Sequence, residues 1–341
     1  MSYTVTVDET KCIRCGACAR ECARHLPVYR DGGYGGYAGK GDEENEENRR
    51  NGQPKGQRRN RETGENGKRG ENKSNGLDCV GCLHCFAVCP QGAVIVKGLE
   101  PVENGHERID PTALFGLLAR RRSYRRFEER GLDPRLLEEL VRAAAYVPSG
   151  GNSHSHRLTV ITAGQARQRL ELELARIYRR RKALLGSAFL RSVFGLFADP
   201  QTRAFLRDRT YFTRVSYLME QIARGEDPIF YNAPAVILVH SPKLIPTPRE
   251  DSVLVAYNMV LTAETRGLGS CFVSLAQNAI NTSRRCKRIL GLDPQEQIYA
   301  VVVVGHPAVH FQRPVPRKPV PTHSLPEHVD PSEEVPAAWT R

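Results

Sequence analysis

Eight of the ten cysteines in this 341-residue chain fall in two short runs: Cys12, Cys15, Cys18 and Cys22, then Cys79, Cys82, Cys85 and Cys89. Each run has the spacing C-x2-C-x2-C-x3-C, followed by Ala23 in the first and Pro90 in the second. Three thiolates on one tight loop, with a fourth on the next turn, is iron–sulfur spacing. Structural zinc is the competing chemistry, but it usually takes two separated C-x2-C knuckles, not three cysteines within seven residues twice over. Disulfides fit less well still, because thiols so close in sequence make poor bridges and nothing marks the chain as secreted. The cysteines therefore predict electron transfer in a reducing compartment.

Two further stretches carry polar chemistry. Arg120 to Phe127 reads RRRSYRRF, five arginines and a serine within seven residues, a plausible grip for a phosphate through paired charge-assisted bonds. Arginines at a helix C-terminus are also what the helix dipole favours, so this run alone leaves both readings open. Pro148-Ser149-Gly150-Gly151-Asn152-Ser153-His154 is a loop whose glycines permit close backbone approach to a ligand and whose Ser, Asn and His side chains can donate or accept hydrogen bonds. Cys271 and Cys286 have no metal-type neighbours and read as small buried apolar residues.

The elements that must position these residues follow from local pattern. Thr4 to Val7 and Ala93 to Val96 read as short strands that pair across the two cysteine runs. Between them, residues 31–76 contain no Val, Ile, Leu, Met, Phe, Trp or Cys and cannot bury a core. This insert reads as a solvated loop, cheap in closure entropy, with a docking arm as the alternative. A polar linker leads to Asp110-Pro111, an N-cap with proline at the first helical position, and Leu114, Leu117 and Leu118 supply that helix's apolar face. Asp133-Pro134 starts a second helix, with Leu136, Leu137, Leu140, Val141 and Ala144 on one side, stopping at Val147 before Pro148. Residues 157–162 read as a buried strand and 165–182 as a helix with Leu170, Leu174 and Ile177 inward. Helix pattern without recognisable chemistry covers 184–225. Residues 235–239 and 298–305 are continuous apolar strands, and 252–265 a helix carrying Val253, Tyr257, Val260 and Leu261.

The formal charge of +12 is scattered among acids, without helix-turn-helix or zinc-finger spacing, so no nucleic-acid partner is expected. The N-terminal residues lack a basic region followed by an apolar run, and no apolar segment is long enough to span a membrane, so a soluble, cytoplasmic protein is expected.

The paired cysteine runs resemble a bacterial two-cluster ferredoxin. In that family the fourth cysteine of each run serves the other cluster, which implies one 4Fe-4S cluster on Cys12, Cys15, Cys18 and Cys89 and another on Cys79, Cys82, Cys85 and Cys22. The second half resembles the nitroreductase family of flavin enzymes, in motifs that occur in the family's order over about residues 110 to 320. Arg121 to Phe127 matches its R-R-S-x-R-x-F/Y segment, and Pro148 to Asn152 matches its P-S-x-x-N-x-Q loop, with His154 in place of glutamine. Gly267-Leu268-Gly269-Ser270-Cys271 looks like the turn and strand beside the flavin, with Ser274 in place of a common glycine, and Arg317 matches a basic position used on the flavin phosphate.

The resemblance implies an α+β fold: a ferredoxin-like two-cluster domain at 1–100, a linker at 101–109, a nitroreductase-type FMN domain at 110–320 with a central sheet flanked by helices, and a tail at 321–341. The FMN contacts it implies are Arg121, Arg122, Ser123, Arg125, Pro148, Ser149, Gly150, Asn152, His154, Leu268, Gly269, Ser274 and Arg317, at a homodimer interface, with no protein residue needed as nucleophile. His154 stands equally as a plain loop histidine. The function implied is an FMN-dependent oxidoreductase whose clusters exchange electrons with FMN, the flavin reducing a nitro compound, quinone or activated double bond, with NAD(P)H or a reduced ferredoxin as donor. The alternative is a non-enzymatic electron carrier or redox sensor. Anaerobically purified protein is expected to hold about eight irons per chain; stoichiometric zinc with little iron, by metal analysis, would contradict the cysteine reading.

Overall fold

The structure is a computed structural model that describes residues 5–22, 79–99, 102, 107–187, 196 and 209–323. The insert at 31–76, residues 324–341 of the expected tail and much of the 184–225 segment lie outside the described residues.

β1 (Val5–Val7) pairs antiparallel with β2 (Val94–Val96), Val5 opposite Val96, as the short apolar runs predict. Just beyond the ladder the Asp8 amide donates to the Ala93 carbonyl at 2.8 Å. This pairing brings the end of the second cysteine run back to the start of the first. Each run folds into one helical turn, α1 (Ala17–Arg20) and α2 (His84–Ala87), and each turn is entered through a left-handed residue, Gly16 at φ 71° and Leu83 at φ 60°. One more left-handed residue precedes each entry, Arg14 and Gly81. The two loops thus repeat one backbone trace with glycine at alternate members of each matched pair.

A second sheet has the order β3-β4-β6-β5 and is antiparallel throughout. Its strands are β3 (Arg157–Ile161), β4 (Ala235–Pro242), β5 (Gly269–Phe272) and β6 (Glu296–Gly305). β4 and β6 are central and buried along nearly their whole length, because helices cover both faces. The 157–162 stretch is an edge strand rather than a buried one: β6 takes the other side of β4, and Arg157 and Val160 face solvent. A buried carboxylate ties that edge down, since Glu296 pairs with both Arg157 and the His240 ring, whose other nitrogen meets the Thr159 hydroxyl at 3.0 Å. Burial outweighs the attraction of Glu296 and holds His240 below the usual histidine range.

On one face, Leu170, Leu174 and Tyr178 of α5 (Gln165–Gly186) pack with Val236, Leu238 and Val301 of the sheet, in a core that α6 (Arg209–Ala223), α8 (Ser274–Asn281) and α9 (Arg284–Ile289) complete. Cys271 and Cys286 lie in it as buried thiols, as their neighbours predict. On the other face, α4 (Pro134–Ala143) and α7 (Pro248–Thr265) cover Ile237, Val239, Val302 and Val304.

α3 (Pro111–Arg120) and α4 begin as their sequences dictate, the Asp110 carboxylate accepting from Thr112 N at 3.2 Å and Asp133 from Arg135 N at 2.9 Å. α4 ends at Ala143, short of the expected Val147, where Asn258 Nδ2 donates to the carbonyls of Ala143 and Tyr146, at 3.4 and 2.8 Å. Two expected apolar faces are turned outward. Leu114 and Leu118 of α3 are exposed beside Phe115, which is 70% accessible, and Val253 and Tyr257 of α7 are exposed beside Leu254. α7 carries apolar residues on more than one side, and the sheet covers only the face with Val255, Ala256, Met259 and Val260.

Leu140→Ala, deleting the fully buried side chain of α4, is expected to destabilise the fold by about 2–5 kcal/mol, measured by denaturant unfolding.

Candidate functional site

Cys12, Cys15, Cys18 and Cys89 line one cavity of about 190 Å³. Cys85 stands close enough to Cys79, Cys82 and Cys22 to feel their charge, as Cys18 does with Cys89 and Cys12. The structure thus gathers the cysteines into two sets that each cross between the runs. Burial pushes the Cys18 and Cys85 thiols up, a cost that a bound cationic centre would offset. Burial acts the same way on Cys89, but the amides of Ala93, Gln91, Val94 and Gly92 outweigh it and bring that thiol down, Ala93 N lying 3.2 Å from Sγ. Gly81 N makes the same kind of bond to Cys79 Sγ at 3.4 Å. Such N–H···S bonds tune the potential of a cluster. Among the described residues no three Cys, His, Asp or Glu stand close enough to share a single ion. Four cysteines around one cavity suit the four-cysteine ligation of an iron–sulfur cluster.

The arginine run lies along the free edge of β5. Ser123 bridges to Ser270, Tyr124 N donates to Ser270 O at 2.9 Å, and Phe127 bridges to Pro307. Arg121, Arg122, Ser123 and Arg125 are thereby brought beside Gly269. A Cβ on Gly269 would sit 2.8 Å from Tyr124 Cγ, so this close approach requires glycine. Tyr124 also packs on Phe311, ring centroids 5.1 Å apart, at the start of the stretch on which Arg317 stands exposed. Arg122 Nη1 donates to the carbonyls of Ala119 and Arg121 at 2.8 and 2.7 Å, while its buried Nε and Nη2 have no partner among the described residues. Two unpaired donors of one guanidinium fit a phosphate oxyanion. Burial raises Glu264 above the usual carboxylate range, while Arg120, Arg121 and Arg122 pull it down. Leu268 turns its side chain into the core, and Ser274 begins α8.

The Pro148–His154 loop is wound through left-handed backbone at Gly151 (φ 60°), Asn152 (φ 55°) and His154 (φ 40°). Glycine adopts this freely and asparagine tolerates it, but histidine is strained, so the surroundings must enforce it. Ser149 Oγ accepts from His154 N at 3.1 Å. Gly150 N donates to Thr247 Oγ1 at 3.0 Å and to the buried Asp251 carboxylate at 3.2 Å, and Thr247 Oγ1 donates to Asp251 at 2.8 Å. Asn152 then links two partners: His154 Nε2 donates to its Oδ1 at 2.8 Å, and its Nδ2 donates to the Val80 carbonyl at 2.8 Å. Val80 follows Cys79 directly. Ser153 Oγ and His156 Nδ1 are buried without partners among the described residues, and burial, then His154, holds His156 below the usual histidine range.

The loop and the arginine run are not together in one chain. Asp251 holds the loop at the first turn of α7, whereas Glu264, 3.9 Å from Arg120, lies in its last. Thirteen residues separate the two carboxylates, about 20 Å of helix. The exposed Val253, Leu254 and Tyr257 lie between them on α7.

Thr247, Asp251, Tyr124 and Val80 shape this site without having stood out in the sequence. Asp251 and Gly150 are 101 residues apart, and Val80 contributes only a backbone oxygen, for which no residue type is a signal.

Residues 118–306 match the family model described as the nitroreductase family, and residues 11–93 that of the 4Fe-4S dicluster domain. No curated protein matches the chain. Among solved structures, an FMN-bound nitroreductase from Desulfitobacterium hafniense is 21% identical, with a TM-score of 0.47, covering 64% of this chain and 100% of its own. One from Bacteroides fragilis, also with bound FMN, is 17% identical, with a TM-score of 0.43, covering 62% and 98%. A point mutant of an FMN and NADPH-dependent nitroreductase from sphigopyxis sp. strain HMH is 24% identical, with a TM-score of 0.41, covering 64% and 99%.

Asp251→Ala takes from the Thr247 hydroxyl its acceptor and from the Gly150 amide one of its two acceptors, and is expected to cost about 1–3 kcal/mol and to speed amide exchange across 149–154. Unchanged exchange by mass spectrometry would show that the loop holds its shape without the carboxylate.

Proposed function

Since the chain belongs to the nitroreductase family, we propose that it is an FMN-dependent oxidoreductase in which two 4Fe-4S clusters exchange electrons with FMN for the reduction of a small organic acceptor. The observation that carries this reading is the bond from Asn152 to the Val80 carbonyl, because it seats a cluster-type cysteine loop on the loop that would border the flavin. The alternative carrier reading has no comparable observation in its favour.

FMN, when bound, supplies the hydride and single-electron chemistry. Arg121, Arg122, Ser123 and Arg125 hold its phosphate, with Arg317 adding charge from the C-terminal stretch. Ser149, Gly150, Asn152 and His154 orient the ring edge, and Pro148 fixes the entry to their loop. Leu268 and Gly269 offer backbone beside it, and Ser274 stands at the end of β5. The acceptor is a nitro compound, a quinone or an activated double bond, and the donor NAD(P)H or a reduced ferredoxin. The division of labour follows the expected domains, 1–100 carrying the clusters and 110–320 the flavin.

The working unit is a homodimer in the cytoplasm. An isologous pairing of α7 with its copy sets the first turn of one helix beside the last turn of the other, which closes the 20 Å gap of a single chain. It also covers Phe115, Val253, Leu254 and Tyr257, an apolar strip that a lone chain leaves in water.

In anaerobic protein, a nitroaromatic or quinone is expected to re-oxidise the reduced flavin within seconds, followed by absorbance; indifference to every small acceptor would leave only a carrier. Phe115→Asp is expected to yield monomers by sedimentation and to lose FMN on dialysis, with iron retained; a flavin-loaded monomer would refute the shared site.

A further inference from the structure

Asn152 ties the Cys79–Cys85 loop to the same chain's Pro148–His154 loop, whereas that loop and the arginine run of one chain stand about 20 Å apart along α7. From these two facts we infer that electrons cross between copies: the cluster on Cys79, Cys82, Cys85 and Cys22 of one chain serves the flavin whose phosphate the other chain's arginines hold. The inference rests on the flavin and dimer readings above and adds which cluster is adjacent and to whose flavin.

The path is short and polar. Cys79 is followed by Val80, whose carbonyl accepts from Asn152, whose amide oxygen accepts from the His154 ring. The left-handed backbone at Asn152 and His154 holds both side chains in this line, and Asp251 and Thr247 hold the backbone. Each transfer oxidises the adjacent cluster by one electron. Two transfers with two protons from solvent complete flavin reduction; a low-potential one-electron donor restores the clusters, and a two-electron organic acceptor re-oxidises the flavin. Asn152 is a positioning residue in this scheme.

A mixed dimer decides between the arrangements. One chain carries Arg121→Ala with Arg122→Ala, the other Cys79→Ala with Cys82→Ala, and differently tagged copies are co-expressed and purified anaerobically. If electrons cross between chains, one site keeps both its arginines and its adjacent cluster, and dithionite reduces that flavin at the wild-type rate with half the wild-type flavin content. If they stay within a chain, no site is whole, and the bound flavin is reduced only at the slow direct rate of the Cys79→Ala/Cys82→Ala homodimer, which would overturn the inference. A wild-type protein that is monomeric or free of flavin overturns the underlying reading instead, and this inference with it.

Asn152→Leu keeps every cysteine and so serves if the cysteine variant fails to fold. It is expected to slow the cluster-dependent part of flavin reduction ten-fold or more with iron unchanged. In flavin-free protein it should raise amide exchange at 79–83, where the loop loses its anchor. Unaltered exchange and an unaltered rate would remove Asn152 from the route.

Discussion

A partly buried backbone amide in a glycine-rich loop must find an acceptor, and in this chain Gly150 meets two, the Thr247 hydroxyl at 3.0 Å and, at 3.2 Å, the carboxylate of Asp251, itself buried at the first turn of α7. A negative charge is favoured there by the helix dipole, and Thr247 completes its hydrogen bonding. With Gly150 pinned, and no room for a Cβ against Thr247, the next residues turn through left-handed backbone and Asn152 is aimed at Val80. The seating of the cluster loop on the flavin half therefore depends on a contact that touches neither cofactor.

The cluster half obeys a different constraint. Its hydrophobic content is small, a pair of three-residue strands and a few buried side chains, and its cysteines are partly desolvated. A fold of this size gains much of its stability from the metal it binds, since the ligands are costly to gather without it. The β1–β2 ladder draws together two cysteine runs far apart in sequence, and the N–H···S bonds at Cys79 and Cys89 come from the same backbone that shapes the turns.

α7 joins the two requirements. The sheet covers one apolar face of this helix and leaves Val253, Leu254 and Tyr257 in water. The uncovered face lies between the arginine run, whose Arg122 donors lack partners among the described residues, and the left-handed polar loop, which the proposed dimer would bring together. In the proposed dimer, covering that face with a second copy and completing the flavin site would be the same event, so that cofactor retention and association would depend on one another.

The sequence by itself determined whatever is local. Cysteine spacing specified the cluster chemistry, aspartate before proline specified the starts of α3 and α4, and continuous apolar runs specified β4 and β6, because each signal needs only neighbours a few residues away. The arginine run and the 148–154 loop stood out for the same reason, although the run by itself left phosphate binding and the helix dipole both open. Tertiary structure decided which side of each helix meets the core: Leu114, Leu118, Val253 and Tyr257 have the periodicity of buried residues and are exposed, because periodicity marks an apolar face without naming what covers it. It decided that residues 157–161 form an edge, since strand order depends on pairing with distant partners. It also decided that Asp251 holds Gly150 and that Asn152 reaches Val80, contacts between residues 101 and 72 apart that no local pattern encodes.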